Sequence, residues 1–515
     1  MVADLAVVGA GPAGMAAALA AAERGARVVL VDSWPQLGGQ YFRQPLVCPR
    51  PLGRPEPSPD GGYAPALPPA ADGVAVGPHL PGRSQALMGH PHIELLLGHA
   101  VWSVARQGAG FLLHLHPEDE PASGVAPAGE AWAVHARALV LATGATELVL
   151  PFPGWDLPGV TTAGAAQALL KSQQVTVGRK VVVAGTGPLL WPVAGALARA
   201  GAQVLMAEAA PPREALRLAP ALLRHPRKLA EAAGYAGTML RHRARAWSGQ
   251  AVVRCEGHDR AERVVLARLG PDWRPLPGTE TSVDVDALCV SHGFVPRLEL
   301  AVQLGALTEG GSAHPAMVVT HGQTMSTSVP GLFVAGELAG VAGAEVAELE
   351  GQTAGHAAAS YLGLPDPRPG RDRQRLGRRL ANRRAFASAL ERSFGLGPGW
   401  ISWLDDSTVF CRCEQVSWGQ VRAAVQGGAS SVRQVRSLTR CGMGYCQGRT
   451  CGPPLQLVVA ALSGRPLGEV GNLHKRPVAV PVTLAQLSRA GTGAAPADLP
   501  AEGHPARPLS APGLS

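Results

Sequence analysis

The sequence predicts an α/β protein with two dinucleotide-binding units, followed by a small helical module rich in cysteine. Three observations lead there. A hydrophobic strand, a Gly-rich turn and an Ala-rich helix succeed one another over residues 4–24, and the pattern restarts over residues 180–199. In each unit an acid ends the next strand, and Asp32 follows Gly9 at the interval by which Glu208 follows Gly185. Finally, five of the eight cysteines crowd between positions 411 and 451. At 515 residues the chain exceeds one ordinary core, so several domains are expected.

Taken in order, residues 4–8 read as a strand, 9–14 as a tight turn, the stretch to 24 as a helix and 26–31 as a second strand. The Pro-rich stretch 44–81 lacks periodicity and reads as an extended loop. Short β runs follow at 93–97, 111–115 and 132–135, then a buried strand, 138–141, ending in Ala142-Thr143-Gly144. In the second unit, 180–184 is a strand, 185–188 a turn, 190–199 a helix and 202–207 a strand. Residues 283–294 return to buried strand character, and 331–336 form another apolar strand closing on a glycine. An Arg-rich helix spans 371–394, the cysteine segment follows Gly397-Pro398-Gly399, and the Ala/Pro/Gly/Ser tail beyond 489 has too little apolar content to order itself.

The net charge of +8 comes almost wholly from arginine; lysine occurs only at 171, 180, 228 and 475. The cluster between 368 and 392 has no aromatic stacking platform beside it and reads as a solvated face, which argues against nucleic acid. No apolar run reaches the roughly 20 residues that span a bilayer. Gly9, Gly11, Gly14 and Asp4 interrupt the apolar start where a signal peptide would be basic and continuous, so no transmembrane segment and a cytoplasmic location are expected. Cys48, Cys255 and Cys289 are scattered and read as reduced core residues.

Chemistry begins at Gly9-Ala10-Gly11-Pro12-Ala13-Gly14. Gly9 permits the turn, Gly11 lets main chain approach a pyrophosphate, and Gly14 lets the helix close on the strand so that its N-terminal amides face the anion. Asp32, followed by Ser33, stands where a ribose-binding carboxylate belongs, and Gly38-Gly39-Gln40 offers a second close approach. In the second turn, Gly185-Thr186-Gly187-Pro188-Leu189-Leu190, Leu190 replaces the third glycine and is expected to push helix and strand apart. Glu208 would repel a 2′-phosphate, so a nicotinamide there would be NAD; another nucleotide, or a relic fold, remain open readings. No Cys-x-x-Cys accompanies the first unit, which argues against a dithiol reductase. Cys411-Arg412-Cys413 and the later Cys441, Cys446 and Cys451 offer the four thiolates of a [2Fe-2S] cluster; zinc is the alternative, which the one-residue spacing disfavours. Arg412, Arg440 and Arg449 are expected to raise the potential of such a cluster.

The Ala142-Thr143-Gly144 strand end and Gly331-Leu332-Phe333-Val334-Ala335-Gly336-Glu337 resemble the later marks of the glutathione-reductase-like flavoproteins. That resemblance implies FAD at the first site, with Glu337, where aspartate is usual, on the ribityl chain. The cysteine segment resembles the bacterioferritin-associated ferredoxin-like (BFD-like) [2Fe-2S] domain, whose Gly-Met-Gly-x-Cys-Gln-Gly-x-x-Cys motif is matched from Gly442 to Cys451. It implies Cys411, Cys413, Cys446 and Cys451 as ligands, with Cys441 as a neighbour and alternative. The whole order resembles the α subunits of dye-linked proline and hydroxyproline dehydrogenase, opine oxidase, sarcosine oxidase-like and hydrogen cyanide synthase complexes. Further resembling stretches are Gly39-Gln40-Tyr41-Phe42-Arg43, 150–155, Gly293-Phe294-Val295-Pro296 and Arg476-Pro477. The implied division is an FAD-binding domain in two parts (1–155 and 285–365) and an inserted NAD-like domain (156–284). An Arg-rich linker (366–405), a BFD-like domain (406–465) and an extension (466–515) complete it.

In that family a separate FAD-dependent β subunit oxidises the amine and the α subunit relays electrons; a further candidate partner is a small ferredoxin-like subunit. The histidines, including His90, His92, His114, His116 and His292, fall in no constellation with an acid and a nucleophile, so no catalytic residue is assigned. The expected function is therefore electron transfer within an amino- or imino-acid dehydrogenase complex. A self-contained NADH-dependent reductase and a non-enzymatic metal-binding scaffold are the alternatives.

Overall fold

The structure, a computed structural model, describes residues 1–45, 82–118, 133–310, 317–366, 370–476 and 478–490. Most of the Pro-rich stretch with Cys48, and Trp132, Arg368, Pro477 and the tail beyond 490, lie outside the described residues.

The chain opens with β1 (Val2–Val8), α1 (Pro12–Ala22) and β2 (Val28–Asp32), then α2 (Gly82–Met88), β3 (Ile93–Leu97), β4 (His99–Gln107), β5 (Gly110–Pro117) and β6 (Ala133–Leu141). These strands lie in the order β3-β2-β1-β6-β5-β4. The sequence suggests two runs where β6 is one strand, because its two halves have different partners. Residues 133–136 pair antiparallel with β5, and 139–141 pair parallel with a late strand, β19 below, while β1 runs along the other edge. Exposed Arg137 marks the changeover.

Next come β7 (Ala145–Glu147), β8 (Val160–Thr162), α3 (Ala163–Gln173), β9 (Lys180–Gly185), α4 (Leu190–Arg199) and β10 (Gln203–Glu208). They are followed by α5 (Pro212–Leu223), α6 (Pro226–Arg241), β11 (Arg245–Ser248), β12 (Gln250–Glu256), β13 (Arg263–Arg268), β14 (Thr281–Asp284), β15 (Ala287–Ser291) and β16 (Phe294–Pro296). A parallel sheet runs β11-β10-β9-β15-β8, and β12-β13-β14 form an antiparallel one that the sequence pattern did not reveal. The apolar run 283–294 is not a single strand: β14, β15 and β16 each join a different sheet. β7 and β16 pair antiparallel, so the chain leaves and rejoins the first sheet's neighbourhood along adjacent tracks.

The remainder is α7 (Glu299–Gln303), β17 (Thr308–Gly310), β18 (Met317–Val319), β19 (Leu332–Val334), α8 (Ala344–Tyr361), α9 (Arg371–Ser393), β20 (Val409–Cys411), β21 (Val416–Ser417), α10 (Trp418–Gln426), α11 (Val432–Thr439), α12 (Gly452–Ser463) and α13 (Leu484–Ala490). A Cβ on Gly351 of α8 would stand 2.0 Å from the Ala13 carbonyl, so α8 and α1 pack main chain to main chain.

Two apolar clusters cover the faces of the first sheet and two more those of the second. A further cluster joins the cysteine module to the β7 and β16 tracks and to the second unit. Phe410, Trp418, Val432 and Leu455 of the cysteine module pack with Leu148, Leu150 and Val295 and with Ala209, Ala251 and Trp273. Trp403 stacks on Trp273 at 6.0 Å and donates its Nε1–H to the Trp273 carbonyl at 3.0 Å. Cys255 and Cys289 are buried as expected. No helix among the described residues is long and apolar enough to cross a membrane.

Candidate functional site

Parallel strands deliver their carboxyl ends to one edge, where α/β sheets bind ligands. β2, β1, β6 and β19 are such neighbours, and their ends carry Asp32, Gly9, Ala142-Thr143-Gly144 and Gly336-Glu337 respectively. At Gly9 φ is +105° and a Cβ would stand 2.2 Å from the Ala142 carbonyl; at Gly14 it would meet the Gly9 carbonyl. A Cβ on Gly11 meets nothing within 4 Å. The turn is therefore closed on its strand side and open at Gly11, the shape of a pyrophosphate cradle.

Asp32 Oδ2 accepts from the Ala10 amide at 2.5 Å and Oδ1 from Trp34 at 2.7 Å, while burial raises its pKa. The acid braces the turn as well as ending the strand. Ser33 and Gln40 are exposed, and Gly39 lies against Gly11. Thr143 Oγ1 donates to the Arg297 carbonyl at 2.9 Å, and the Gly144 carbonyl accepts from the Arg297 amide at 3.0 Å.

Glu337 opens a short 3₁₀ turn after Gly336, with Oε2 shut away from solvent and without a hydrogen-bond partner in the described residues. Burial, then the neighbouring Glu350 charge, pushes its pKa up to about 7. Such an orphaned acceptor suits a sugar-alcohol hydroxyl, so the residues present fit FAD. Glu350 is buried; its Oε2 accepts from the Gly336 amide at 2.9 Å and its Oε1 pairs with Arg384 at 2.7 Å. Burial raises it to about 7 against the opposing Arg384.

The sequence reading missed Lys171 of α3. It is buried, donates to the carbonyls of Tyr41 and Gln40 at 3.0 and 3.4 Å, and burial, then Arg43, lowers it to about 8. A rare lysine inside an Ala-rich helix was the available signal.

The second edge repeats the logic with one change. Glu208 Oε2 accepts from Gly187 at 3.1 Å and Oε1 from Ala210 at 3.0 Å, so the longer acid reaches one residue further round its turn than Asp32 does. Glu208 is only 4% exposed, and burial pushes it up to about 7. Leu190 does not wedge helix from strand, as its size suggested. α4 starts at Leu190, whereas α1 starts two motif positions earlier at Pro12, and Leu190 is fully buried. That later start, with Pro188 and Pro192 contributing no N–H, leaves fewer amides for an anion. Thr186 Oγ1 lies 3.5 Å from the Phe394 carbonyl, so the end of α9 sits against this turn.

In the cysteine module, β20 ends at Cys411, α11 stops at Arg440 in the left-handed conformation and α12 begins after Cys451. Cys411, Cys441 and Cys451 are buried with their sulfurs all within 4.8 Å of one another, and Cys411 and Cys451 lie 3.7 Å apart. Cys413 is exposed and hydrogen-bonds to half-buried Cys446. Hydrogen bonds from Cys441, then from Cys451, hold the Cys411 thiol down at about 2, with Gly442 and Glu414 amides adding to the effect. Amides of Gly448 and Thr450 likewise reach Cys446. Thiols ringed by N–H donors fit an iron–sulfur cluster. Two of the three arginines expected to raise its potential are offset: Arg440 pairs with Glu414 at 2.8 Å and Arg449 with Glu299 at 3.3 Å. Arg412 lies over the Trp155 ring at 5.4 Å.

The flavin-side edge and the cysteine loop share a cleft lined by Thr146, Arg297, Glu299, Arg449, His474 and Arg476. The five histidines singled out in the sequence do not gather with an acid: His292 Nδ1 accepts from the Leu150 amide, His114 stacks on Trp102, His116 Nδ1 lies 2.9 Å from the Pro117 carbonyl, and His90 lies beside His92.

Comparison with known proteins agrees with this geometry. The pyridine nucleotide-disulphide oxidoreductase family model matches residues 3–359, and the BFD-like [2Fe-2S] binding domain matches residues 409–461. An opine oxidase subunit of Agrobacterium tumefaciens (strain Ach5) is 33% identical over 94% of this chain and 91% of its own. The HcnB subunit of hydrogen cyanide synthase from Pseudomonas protegens is 30% identical over 86% and 89%. In fold, L-proline dehydrogenase from P. horikoshii superposes with a TM-score of 0.62 at 19% identity, over 95% of this chain and 79% of that one. This chain belongs to the pyridine nucleotide-disulphide oxidoreductase family, as an FAD-dependent oxidoreductase that also carries a BFD-like [2Fe-2S] domain.

Proposed function

We propose that the chain is the electron-transferring subunit of a complex that oxidises secondary amines such as amino and imino acids, a partner subunit holding the substrate. One observation carries this reading: the two cofactor sites are joined by a short run of contacts. Gly144 bonds to Arg297, Glu299 pairs with Arg449, and Arg449 Nη1 donates to the Cys446 carbonyl at 3.1 Å. Support comes from relatives that are themselves subunits of opine oxidase and hydrogen cyanide synthase.

When bound, FAD supplies an electron-pair carrier that can also release electrons singly, and a [2Fe-2S] cluster a one-electron carrier. The chain's residues supply position. Gly11 and the amides of α1 would hold the pyrophosphate, Asp32 a ribose, and Glu337 the ribityl chain. Cys411, Cys413, Cys446 and Cys451 would hold the cluster, and Glu299 with Arg449 keeps its loop against the flavin unit. A reducing, cytoplasmic setting suits the free thiols.

The purified chain should show flavin and iron–sulfur absorbance that proline, sarcosine and opines leave unbleached under anaerobic conditions. Bleaching should follow when the co-purifying subunit is added. Rapid bleaching of the isolated chain by an amine would overturn the division of labour. A second reading, NADH oxidation, rests on Glu208. Because α4 starts late and Pro188 and Pro192 contribute no N–H, few amides face an anion at that turn, and anaerobic NADH is expected to leave the flavin oxidised.

A further inference from the structure

The cysteine module holds one thiol more than a [2Fe-2S] cluster uses, and the surplus is distributed unevenly. Two thiolates on one tetrahedral metal, each about 2.3 Å from it, stand about 3.8 Å apart. Cys411 and Cys451 already meet that spacing at 3.7 Å. Cys441 joins them, its sulfur within 4.8 Å of both, and all three are shut from solvent. The other pair, Cys413 with Cys446, lies toward the surface and has no third thiol grouped with it among the described residues.

Cys441 is held in place by its surroundings. Arg440 closes α11 with φ of 67°, the Cys441 amide donates to Thr439 Oγ1 at 3.2 Å, and the next amide, of Gly442, reaches Cys411. The side chain is fully buried against Cys411 and Cys451. A residue wanted only for volume at this position need not carry a sulfur; this one sets its Sγ within 4.8 Å of those of Cys411 and Cys451.

We propose that Cys441 is a reserve ligand for the buried iron: three thiols, Cys411, Cys441 and Cys451, serve two coordination places, while Cys413 and Cys446 are irreplaceable. The exchange is redox-neutral. One Fe–Sγ bond breaks and another forms, and the proton leaving Cys441 is taken up by the displaced thiolate, or by solvent when that thiolate has been removed. The proposal rests on the cluster assignment above and adds to it which sulfurs are interchangeable.

The test uses the full-length holoprotein with single Cys→Ala and Cys→Ser replacements at 411, 413, 446 and 451, each also combined with Cys441→Ala. Iron and acid-labile sulfide per FAD, and the EPR spectrum after dithionite reduction, are the readouts; FAD absorbance reports independently that the chain has folded. Cys411 or Cys451 variants are expected to keep most of their iron with a shifted EPR spectrum, and to lose it when Cys441 is also replaced. Cys413 and Cys446 variants are expected to lose nearly all iron even with Cys441 present. Iron loss at 411 and 451 as complete as at 413, in protein that retains FAD, would sink the proposal. Should the alanine forms lose FAD as well, the serine forms, which keep the packing, decide by the same contrast. A wild-type protein without iron would instead sink the cluster assignment itself, so the two failures are told apart.

Discussion

At the scale of single residues, the buried acids set the molecule's response to pH. Glu208, Glu337 and Glu350 each titrate near 7 in the fold, against 4.5 when unperturbed. Between those values the folded chain binds more protons than the unfolded one, so stability falls as pH rises from about 4.5 to about 7 and is fully present below that window. Glu208→Gln cannot ionise and should flatten this slope, while costing about 1 kcal/mol at every pH because an amide NH₂ replaces one of its two acceptors. Urea midpoints of the flavin-free protein across pH 4–8 measure it; parallel slopes for the two proteins would refute the assignment. The same residues show what a sequence discloses. The interval from Gly185 marks Glu208 as a nucleotide ligand candidate, yet its two main-chain hydrogen bonds depend on how tightly the turn closes, which no spacing records. Cys441 is comparable: five cysteines are plain in the text, but their division into a buried three and an outer two is a property of the folded loop.

At the scale of elements, the βαβ units were legible because strand, glycines and helix are local. α8 was not, although it completes the first site. Its Gly351 and Gly355 would place a Cβ 2.0 and 2.3 Å from the carbonyls of Ala13 and Ala17 on α1. This partnership joins residues more than three hundred positions apart, so it leaves no periodic trace. Gly351→Ala should push α8 off α1, destabilise the chain by about 1–3 kcal/mol and loosen the turn that α1 presents to FAD. Flavin content after purification and the melting temperature measure it, and unchanged values in both would show that the helices can part without consequence. β6 makes the same point for strands: its halves read as separate because each was judged by its own pattern, whereas β1 binds both.

At the scale of the whole molecule, the order of the parts could be read from the text, but not how they are held together. The antiparallel sheet β12-β13-β14, the paired tracks β7 and β16, and the ion pairs of Glu299 with Arg449 and Arg476 all depend on long-range meetings. The apolar cluster shared by the cysteine module, the β7 and β16 tracks and the second unit, with the Glu299–Arg449 pair beside it, has a consequence for how the protein comes apart. Its members cannot be uncovered one domain at a time, so heat should melt the chain in a single cooperative event, and scanning calorimetry resolving separate peaks would contradict this. For the same reason, a chain cut short before Asp405 would not be a flavoprotein minus an accessory. It would present Leu148, Leu150 and Val295 to water as a sticky scar, and clumping, rather than tidy loss of one colour, is its expected fate.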